Sequence, residues 1–350
     1  MIRVLVVDDS AFLRHMLESR LNEFDDIEVV GKAVNGREAL AHLAELDPDV
    51  VTLDVEMPKM NGLEALKAIM AKTPKPVVMV SSTTTEGAAN TIQALTIGAV
   101  DFIAKPEKLA NVSGILDELA EKIRAASKSR INKLTRRPAL KPVVKSKNVD
   151  KRPAQHVIVI GSSTGGPRAL SAVLPAIPAD IPAAVLIVQH MPPNFTAQLA
   201  QRLDKMSHLY IKEAEEGDTL LEGHALLAPG DFHMELDTSR QVQLGKGPNV
   251  HGVRPSVDVT MLSVVAHFQS QVLGAVLTGM GRDGCTGTSA IIEAGGWAMA
   301  QDEDTSVVWG MPRSVIEAGY AQAITPLDEV APTLVQALLA RTGESLGLSA

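Results

Sequence analysis

Three side chains in the C-terminal half have the types and placement for nucleophilic acyl transfer. The first is Ser163, in Gly161-Ser162-Ser163-Thr164-Gly165, which has the G-x-S-x-G spacing of a nucleophile elbow. A β-branched run, His156–Ile160, reads as a buried strand before it, and Pro167–Leu174 has a helical apolar pattern after it. A tight turn flanked by glycines lifts one hydroxyl clear of the backbone. The helix N-terminus behind it offers N–H groups and a positive dipole end to a developing oxyanion. The same strand, glycine turn and helix can also cradle a pyrophosphate or serve as a plain turn, so partners elsewhere have to decide.

Two partners stand at other predicted strand ends. His190 follows the strand Ala184–Val188, within Gln189-His190-Met191-Pro192. Asp283 lies in a glycine loop, Leu277-Thr-Gly-Met-Gly-Arg-Asp-Gly284, between the strand Val272–Leu277 and the helix Cys285–Ala294. His190 would take the proton of Ser163, and Asp283 would hold the imidazole in one tautomer and stabilise its charged form. Taken singly, His190 could be a turn or cap residue and Asp283 the N-cap of the Cys285 helix. The chain order Ser, His, Asp does not fit the α/β-hydrolases, whose acid precedes the histidine. The turn also lacks the G-x-G-x-x-G spacing of a dinucleotide site.

The N-terminal third carries a second set. Asp8 and Asp9 end one predicted strand, Asp54 another, Ser81 a third and Lys105 a fourth, with Pro106 after it. Clustered carboxylates repel one another and call for a divalent cation with oxygen ligands, while a lysine across the site balances charge. Asp9 alone would read equally as a helix cap.

These groups need parallel sheets to present them. Within 1–126 the strands Ile2–Val7, Glu28–Ala33, Val50–Asp54, Val77–Ser81 and Asp101–Ala104 alternate with helices at Ala11–Asn22, Gly36–Leu46, Gly62–Ala71, about Ala88–Ile97 and Val112–Ala126. Five βα units predict a doubly wound, flavodoxin-like sheet with its functional groups at the strands' carboxyl ends. Residues 127–153 read as a basic, extended linker: ten Lys or Arg and one acid fall between 128 and 152, a solvated run rather than a nucleic-acid tail. From 154 to 345 a second α/β domain is expected. Its further strands are Ala225–Ala228 and Ala298–Gln301, with an antiparallel hairpin of Phe232–Leu236 and Gln241–Leu244. Its further helices are Asn194–Met206, Ser256–Phe268, Arg313–Ala318 and Leu327–Arg341. The tail after 344 carries no reading.

Composition agrees with two ordinary domains: 350 residues, 45% hydrophobic. One cysteine excludes an intrachain disulfide framework, and a net charge of −8 argues against broad nucleic-acid binding. No apolar run reaches the ~20 residues of a membrane span, and Met1–Val7 reads as a strand rather than a signal peptide. A cytoplasmic protein without membrane insertion is expected.

Val6-Val7-Asp8-Asp9-Ser10, Leu53-Asp54-Val55-Glu56-Met57-Pro58, Val80-Ser81-Ser82 and Ala104-Lys105-Pro106 resemble the signature of a response-regulator receiver domain. The resemblance implies phosphorylation of Asp54 by a histidine kinase. It also implies Mg²⁺ bound by Asp8, Asp9, Asp54 and the Glu56 backbone carbonyl. Ser81, Phe102 and Lys105 would form the switch, Phe102 standing where the family often has Tyr. Ile160–Pro167, Gln189–Pro192, Ala228-Pro229-Gly230, Arg254-Pro255-Ser256-Val257-Asp258 and Leu277–Gly284 resemble the catalytic domain of the chemotaxis protein-glutamate methylesterase (CheB) family. Here the family carries Ser163, His190 and Asp283 as the triad, and Ser162 where it often has Ala. Oxyanion or supporting roles are expected at Thr164 and in the 279–281 loop around Met280. The implied reaction is hydrolysis of glutamyl γ-methyl esters on methyl-accepting chemotaxis receptors, with deamidation of receptor glutamines by the same acyl chemistry, and needs no cofactor for the esterase step. The unphosphorylated receiver is expected to cover the Ser163 face, with the linker and the Phe102 region as candidate contacts. The rivals are a DNA-binding regulator, which lacks a recognition helix here, a non-catalytic scaffold, and a nucleotide-dependent oxidoreductase.

Overall fold

The computed structural model describes residues 1–105, 112–129 and 152–343, and the chain divides into two compact units, Met1–Pro138 and Ala139–Ala350. The expected basic linker falls largely on 130–151, and Pro106 and the C-terminal tail also lie outside the described residues.

The first unit is the predicted (βα)₅ domain. In chain order it runs β1 (Ile2–Val7), α1 (Ala11–Leu21), β2 (Ile27–Ala33), α2 (Gly36–Leu46), β3 (Val50–Asp54), α3 (Gly62–Lys72), β4 (Val77–Ser81), α4 (Thr85–Ile97), β5 (Asp101–Ala104) and α5 (Val112–Ser127). The sheet order is β2-β1-β3-β4-β5, all parallel. β3 and β4 are buried along their whole length, which is why they read as unbroken apolar runs instead of alternating ones. Side-chain caps set the helix starts. Asn61 and Glu64 form a reciprocal capping box on α3. Thr84 accepts from the Gly87 N–H at 3.0 Å, so α4 begins at Thr85, three residues before the expected Ala88. Sheet order reverses at β1, which pairs with both β2 and β3, and a crevice at such a switch point is where ligands gather.

The second unit adds β6 (Val157–Ser162), α6 (Gly166–Val173), β7 (Ala184–Gln189), α7 (Phe195–Met206), β8 (Tyr210–Glu213), β9 (His224–Leu227), β10 (His233–Leu236), β11 (Val242–Gly245), α8 (Val257–Phe268), β12 (Val272–Val276), α9 (Cys285–Glu293), β13 (Trp297–Gln301), α10 (Met311–Glu317), β14 (Ala323–Thr325) and α11 (Val330–Thr342). Seven strands form a parallel sheet in the order β14-β13-β12-β6-β7-β9-β8, and β10 and β11 form the expected antiparallel hairpin. The core gathers Val157, Val159, Leu186 and Val188 from the central strands with Val257, Met261 and Val264 from α8. The two strands that sequence patterning misses, β8 and β14, are the sheet's edges. They have four and three residues, too short for alternation to declare itself.

Candidate functional site

Two clusters occupy the strand ends, one in each unit. In the first, β1 and β3 lie side by side, so Asp8 and Asp54 leave adjacent strands at the same edge. Both carboxylates are buried. The Lys105 ammonium, delivered by the end of β5, stands 3.1 Å from Asp8 Oδ2 and 2.8 Å from Asp54 Oδ2. Those two oxygens accept no other hydrogen bond among the described residues. Their outer oxygens accept the Ser10 N–H at 2.8 Å and the Glu56 N–H at 3.3 Å. Asp9 is exposed, and Ser10, not Asp9, caps α1. Burial, reinforced by the neighbouring Asp8 charge and only partly offset by Lys105, pushes the Asp54 carboxyl up to about 6. Burial works against the Lys105 ammonium, but pairing with Asp54 and Asp8 holds it above its ordinary value.

Oxygens of Asp8, Asp9 and Asp54 come within 4.8 Å of one another. Three hard, anionic donors with buried inner oxygens short of partners suit Mg²⁺ or a similar ion. A cleft lined by Asp9, Glu56, Met57, Asn61, Glu86 and Asn90 opens beside them. The remaining expected switch residues stand apart from the carboxylates. The Ser81 hydroxyl is buried against α4, accepting from Thr91 Oγ1 at 2.6 Å and donating to the Gly87 carbonyl at 3.2 Å. Phe102 is buried with the Lys122 ammonium 5.4 Å from its ring centre.

In the second unit, β12, β6 and β7 are consecutive at the centre of the sheet, and one residue of the expected triad follows each. Ser163 is the residue after β6, and its N–H donates to the Thr278 carbonyl at 3.0 Å. His190 follows β7, and its Nε2 lies 2.8 Å from Asp283 Oδ2. Nδ1 is the ring nitrogen that Asp283 leaves unengaged. Asp283 does not cap the Cys285 helix; Gly284 stands at that N-cap. Its carboxylate instead closes the N-terminus of α8. Oδ1 accepts the Ser256 hydroxyl at 2.8 Å and the N–H groups of Asp258 and Gly284 at 3.0 Å, and Oδ2 also accepts the Val257 N–H at 2.7 Å. Burial alone would raise its pKa, but His190 and these N–H groups outweigh burial and hold the carboxyl below its ordinary value.

The loop after β12 packs against Ser163, since a Cβ at Gly279 would fall 2.9 Å from the Ser163 Cβ. The Gly279 N–H is committed to the Val308 carbonyl at 3.0 Å. Of the expected oxyanion loop, the Met280 N–H has no hydrogen-bond partner among the described residues. Thr164 is buried, and its carbonyl accepts the Thr278 hydroxyl at 2.9 Å.

Sequence patterning alone assigned no role to Gln189, Ser256, Asp258 or Thr278. Ser256 and Asp258 work in pairs with residues far along the chain. Asp283 caps α8, while Asp258 in the first turn of α8 accepts the Gly287 N–H of α9 at 2.7 Å and faces His251 Nε2 at 2.9 Å. The local signal was Ser256 before an apolar helix, a cap pattern whose second function depends on a loop 27 residues away.

A family model described as CheB methylesterase matches residues 158–334, and one described as a response regulator receiver domain matches residues 4–117. The protein-glutamate methylesterase/protein-glutamine glutaminase of Symbiobacterium thermophilum is 46% identical, covering 96% of this chain and 97% of its own. The protein of the same name from Pyrococcus horikoshii is 46% identical, covering 99% and 96%. The crystal structure of the Thermotoga maritima CheB methylesterase catalytic domain aligns with a TM-score of 0.51 at 43% identity, covering 52% of this chain and 97% of that one.

Proposed function

The chain belongs to the CheB methylesterase family, with a receiver domain in its N-terminal part, and from this premise we propose that it hydrolyses glutamyl γ-methyl esters, and deamidates glutamines, on the cytoplasmic domains of chemoreceptors. Ser163 Oγ attacks the γ-carbonyl carbon as His190 Nδ1 takes the hydroxyl proton. The tetrahedral oxyanion collapses, and methanol, or ammonia from an amide, leaves with the proton returned by His190. An acyl-enzyme remains on Ser163. Water then attacks it, giving its proton to His190, and the free glutamate departs as Ser163 regains a proton. Asp283 stays ionised throughout and stabilises the imidazolium formed in each half-reaction.

The observation that carries this reading is the His190–Asp283 contact, with the Asp283 carboxylate fixed by the α8 N-terminus. A carboxylate so fully bonded does not swing, so it holds one histidine tautomer with Nδ1 free for the nucleophile.

The receiver acts as the switch. A histidine kinase or a small-molecule phosphodonor transfers a phosphoryl group to Asp54, and Lys105 and Ser81 then bind the dianion. Asp8, Asp9, Asp54 and the Glu56 carbonyl would hold Mg²⁺, which would neutralise charge on the transferring group. For Ser81 this requires leaving its Thr91 and Gly87 partners, which turns phosphorylation into a change at the start of α4.

The test is methanol release from methylated receptor membranes. Ser163→Ala should lower the rate by at least about 10⁴-fold. A phosphodonor with Mg²⁺ should raise the rate of the wild type, and no such increase should occur in Asp54→Asn. Release that survives Ser163→Ala would move the nucleophile elsewhere.

A further inference from the structure

One buried amide joins the nucleophile to the base. Gln189, the last residue of β7, is 2% exposed. Its Nε2 donates to the Ser163 carbonyl at 3.0 Å and to the His190 carbonyl at 3.1 Å. Its Oε1 accepts the Ser162 hydroxyl at 2.7 Å. The amide's orientation is forced, because reversing it would set its oxygen against two carbonyl oxygens and its NH₂ against the hydroxyl that now donates to it. The space is also reserved for it. A Cβ on Gly166 would fall 1.9 Å from Gln189 Oε1, so any side chain there would have to displace the amide.

The Ser163 carbonyl accepts a second hydrogen bond from the Gly166 N–H at 2.7 Å. Two donors on one carbonyl fix the plane of the Ser163–Thr164 peptide. In a trans peptide the N–H points opposite to the C=O, so Gln189, together with the Gly166 N–H, sets where the Thr164 N–H is aimed. The residue after an elbow nucleophile commonly supplies an oxyanion N–H. The other bond of the same amide anchors the His190 backbone.

We infer that Gln189 is a positioning residue for the hydrolysis: its amide, locked by Ser162, sets the orientation of the Ser163–Thr164 peptide as an oxyanion donor and holds it in register with His190. This rests on the triad reading above. Without Gln189 only the Gly166 N–H holds the Ser163 carbonyl, so the peptide loses its second anchor and its N–H is aimed less well at the transition state, while the substrate's remaining contacts stay in place. The effect therefore belongs in kcat.

The experiment uses the full chain, methanol release from methylated receptor membranes, and the variants Ser163→Ala, Gln189→Leu, Gln189→Glu and Ser162→Ala. Gln189→Leu keeps bulk and removes both donors; it should lower kcat by about 10²-fold, the size of one lost oxyanion donor, with KM little changed. In Gln189→Glu an ionised carboxylate faces two carbonyls, whereas its protonated form can donate to one. Its activity relative to wild type should therefore rise as pH falls from about 8 to about 6. A merely structural defect would leave that ratio flat. Ser162→Ala, which frees the amide without removing it, should cost only about 2- to 5-fold in kcat, well below the loss of a full donor.

The inference is overturned if Gln189→Leu keeps kcat within about threefold of wild type, if its loss lies in KM, or if the Gln189→Glu ratio does not change with pH. Should Gln189→Leu fail to fold, the Gln189→Glu ratio and Ser162→Ala still decide. Methanol release that persists in Ser163→Ala would instead defeat the triad reading, whatever the Gln189 variants do.

Discussion

Asp54 and Asp283 are both buried carboxylates at the carboxyl ends of parallel strands, yet their environments push them in opposite directions. Asp54 is pushed up to about 6, and Asp283 is held below its ordinary value. Desolvation is the largest influence on both, so burial does not distinguish them; the donors do. Asp283 accepts three backbone N–H groups, a hydroxyl and an imidazole. Asp54 accepts one N–H at 3.3 Å, shares Lys105 with Asp8, and faces that second negative charge. The first is a finished acceptor whose charge is already solvated by the protein, as a group that must stay ionised through a reaction requires. The second is left short of partners, which suits a group that is to receive a cation and then a phosphoryl group.

The most severe way to break the comparison is Asp→Asn at both positions. Asp283→Asn places an NH₂ where an oxygen accepted the Val257 N–H or the Ser256 hydroxyl, and it withdraws the charge facing His190. Its kcat should fall by about 10³–10⁴-fold, and the catalytic unit should lose about 2–4 kcal/mol of stability. Asp54→Asn should stabilise the apo receiver. The difference between 3.8 and about 6 corresponds to roughly 3 kcal/mol of penalty at neutral pH. Losing a Lys105 partner that is partly solvated returns some of this, so a net gain of about 1–2 kcal/mol is expected in chelator. One substitution thus gives opposite signs at the two sites. Both Trp and both Tyr lie beyond residue 209. Aromatic fluorescence in urea therefore follows the catalytic unit alone, while circular dichroism follows both. Equal signs at the two sites would end the comparison.

A smaller effect sharpens it. Adding Mg²⁺ to the wild type should raise the receiver transition by the binding free energy, and chelation should reverse this. Asp54→Asn, with one anionic ligand fewer, should gain less, and Asp283→Asn should gain as much as wild type. A gain of equal size in Asp54→Asn would place the ion away from Asp54.

Much of this contrast was legible in the sequence, and the limit was physical. A strand's end is marked by where an apolar run meets a polar residue, so β1, β3, β4 and β5 were found to the residue, and with them Asp8, Asp54, Ser81 and Lys105. In the second unit Ser163 was singled out by its G-x-S-x-G spacing, His190 as the residue after a strand and Asp283 by its glycine loop. What could not be read is the second partner of each group. Asp283 looked like a cap for the helix beginning two residues later, because capping is judged locally, and it caps α8 instead. Gln189, just past the expected end of β7, drew no reading of its own. Its hydrogen bond to Ser162 depends on Ser162 standing at the same level of β6, a matter of register that one strand's pattern does not contain. The edge strands β8 and β14 failed for lack of length.

The finest division between the sites is in pH dependence. A carboxyl whose folded pKa is raised binds more protons in the folded state between 3.8 and about 6. The stability it contributes is complete below 3.8 and lost as pH rises through about 6. The advantage of Asp54→Asn over wild type should therefore be largest at neutral pH and close as pH falls toward about 4. Asp283 has the reverse sign: its contribution is complete above 3.8 and lost only as pH falls through its lowered folded value. The deficit of Asp283→Asn should stay open at about pH 4, where the Asp54→Asn difference has closed. Urea titrations of the three proteins across that range separate the two cases. If the Asp54→Asn difference kept its neutral-pH size at the acid end, Asp54 would be no more strained than Asp283, and readiness for phosphorylation would have to come from the cation alone.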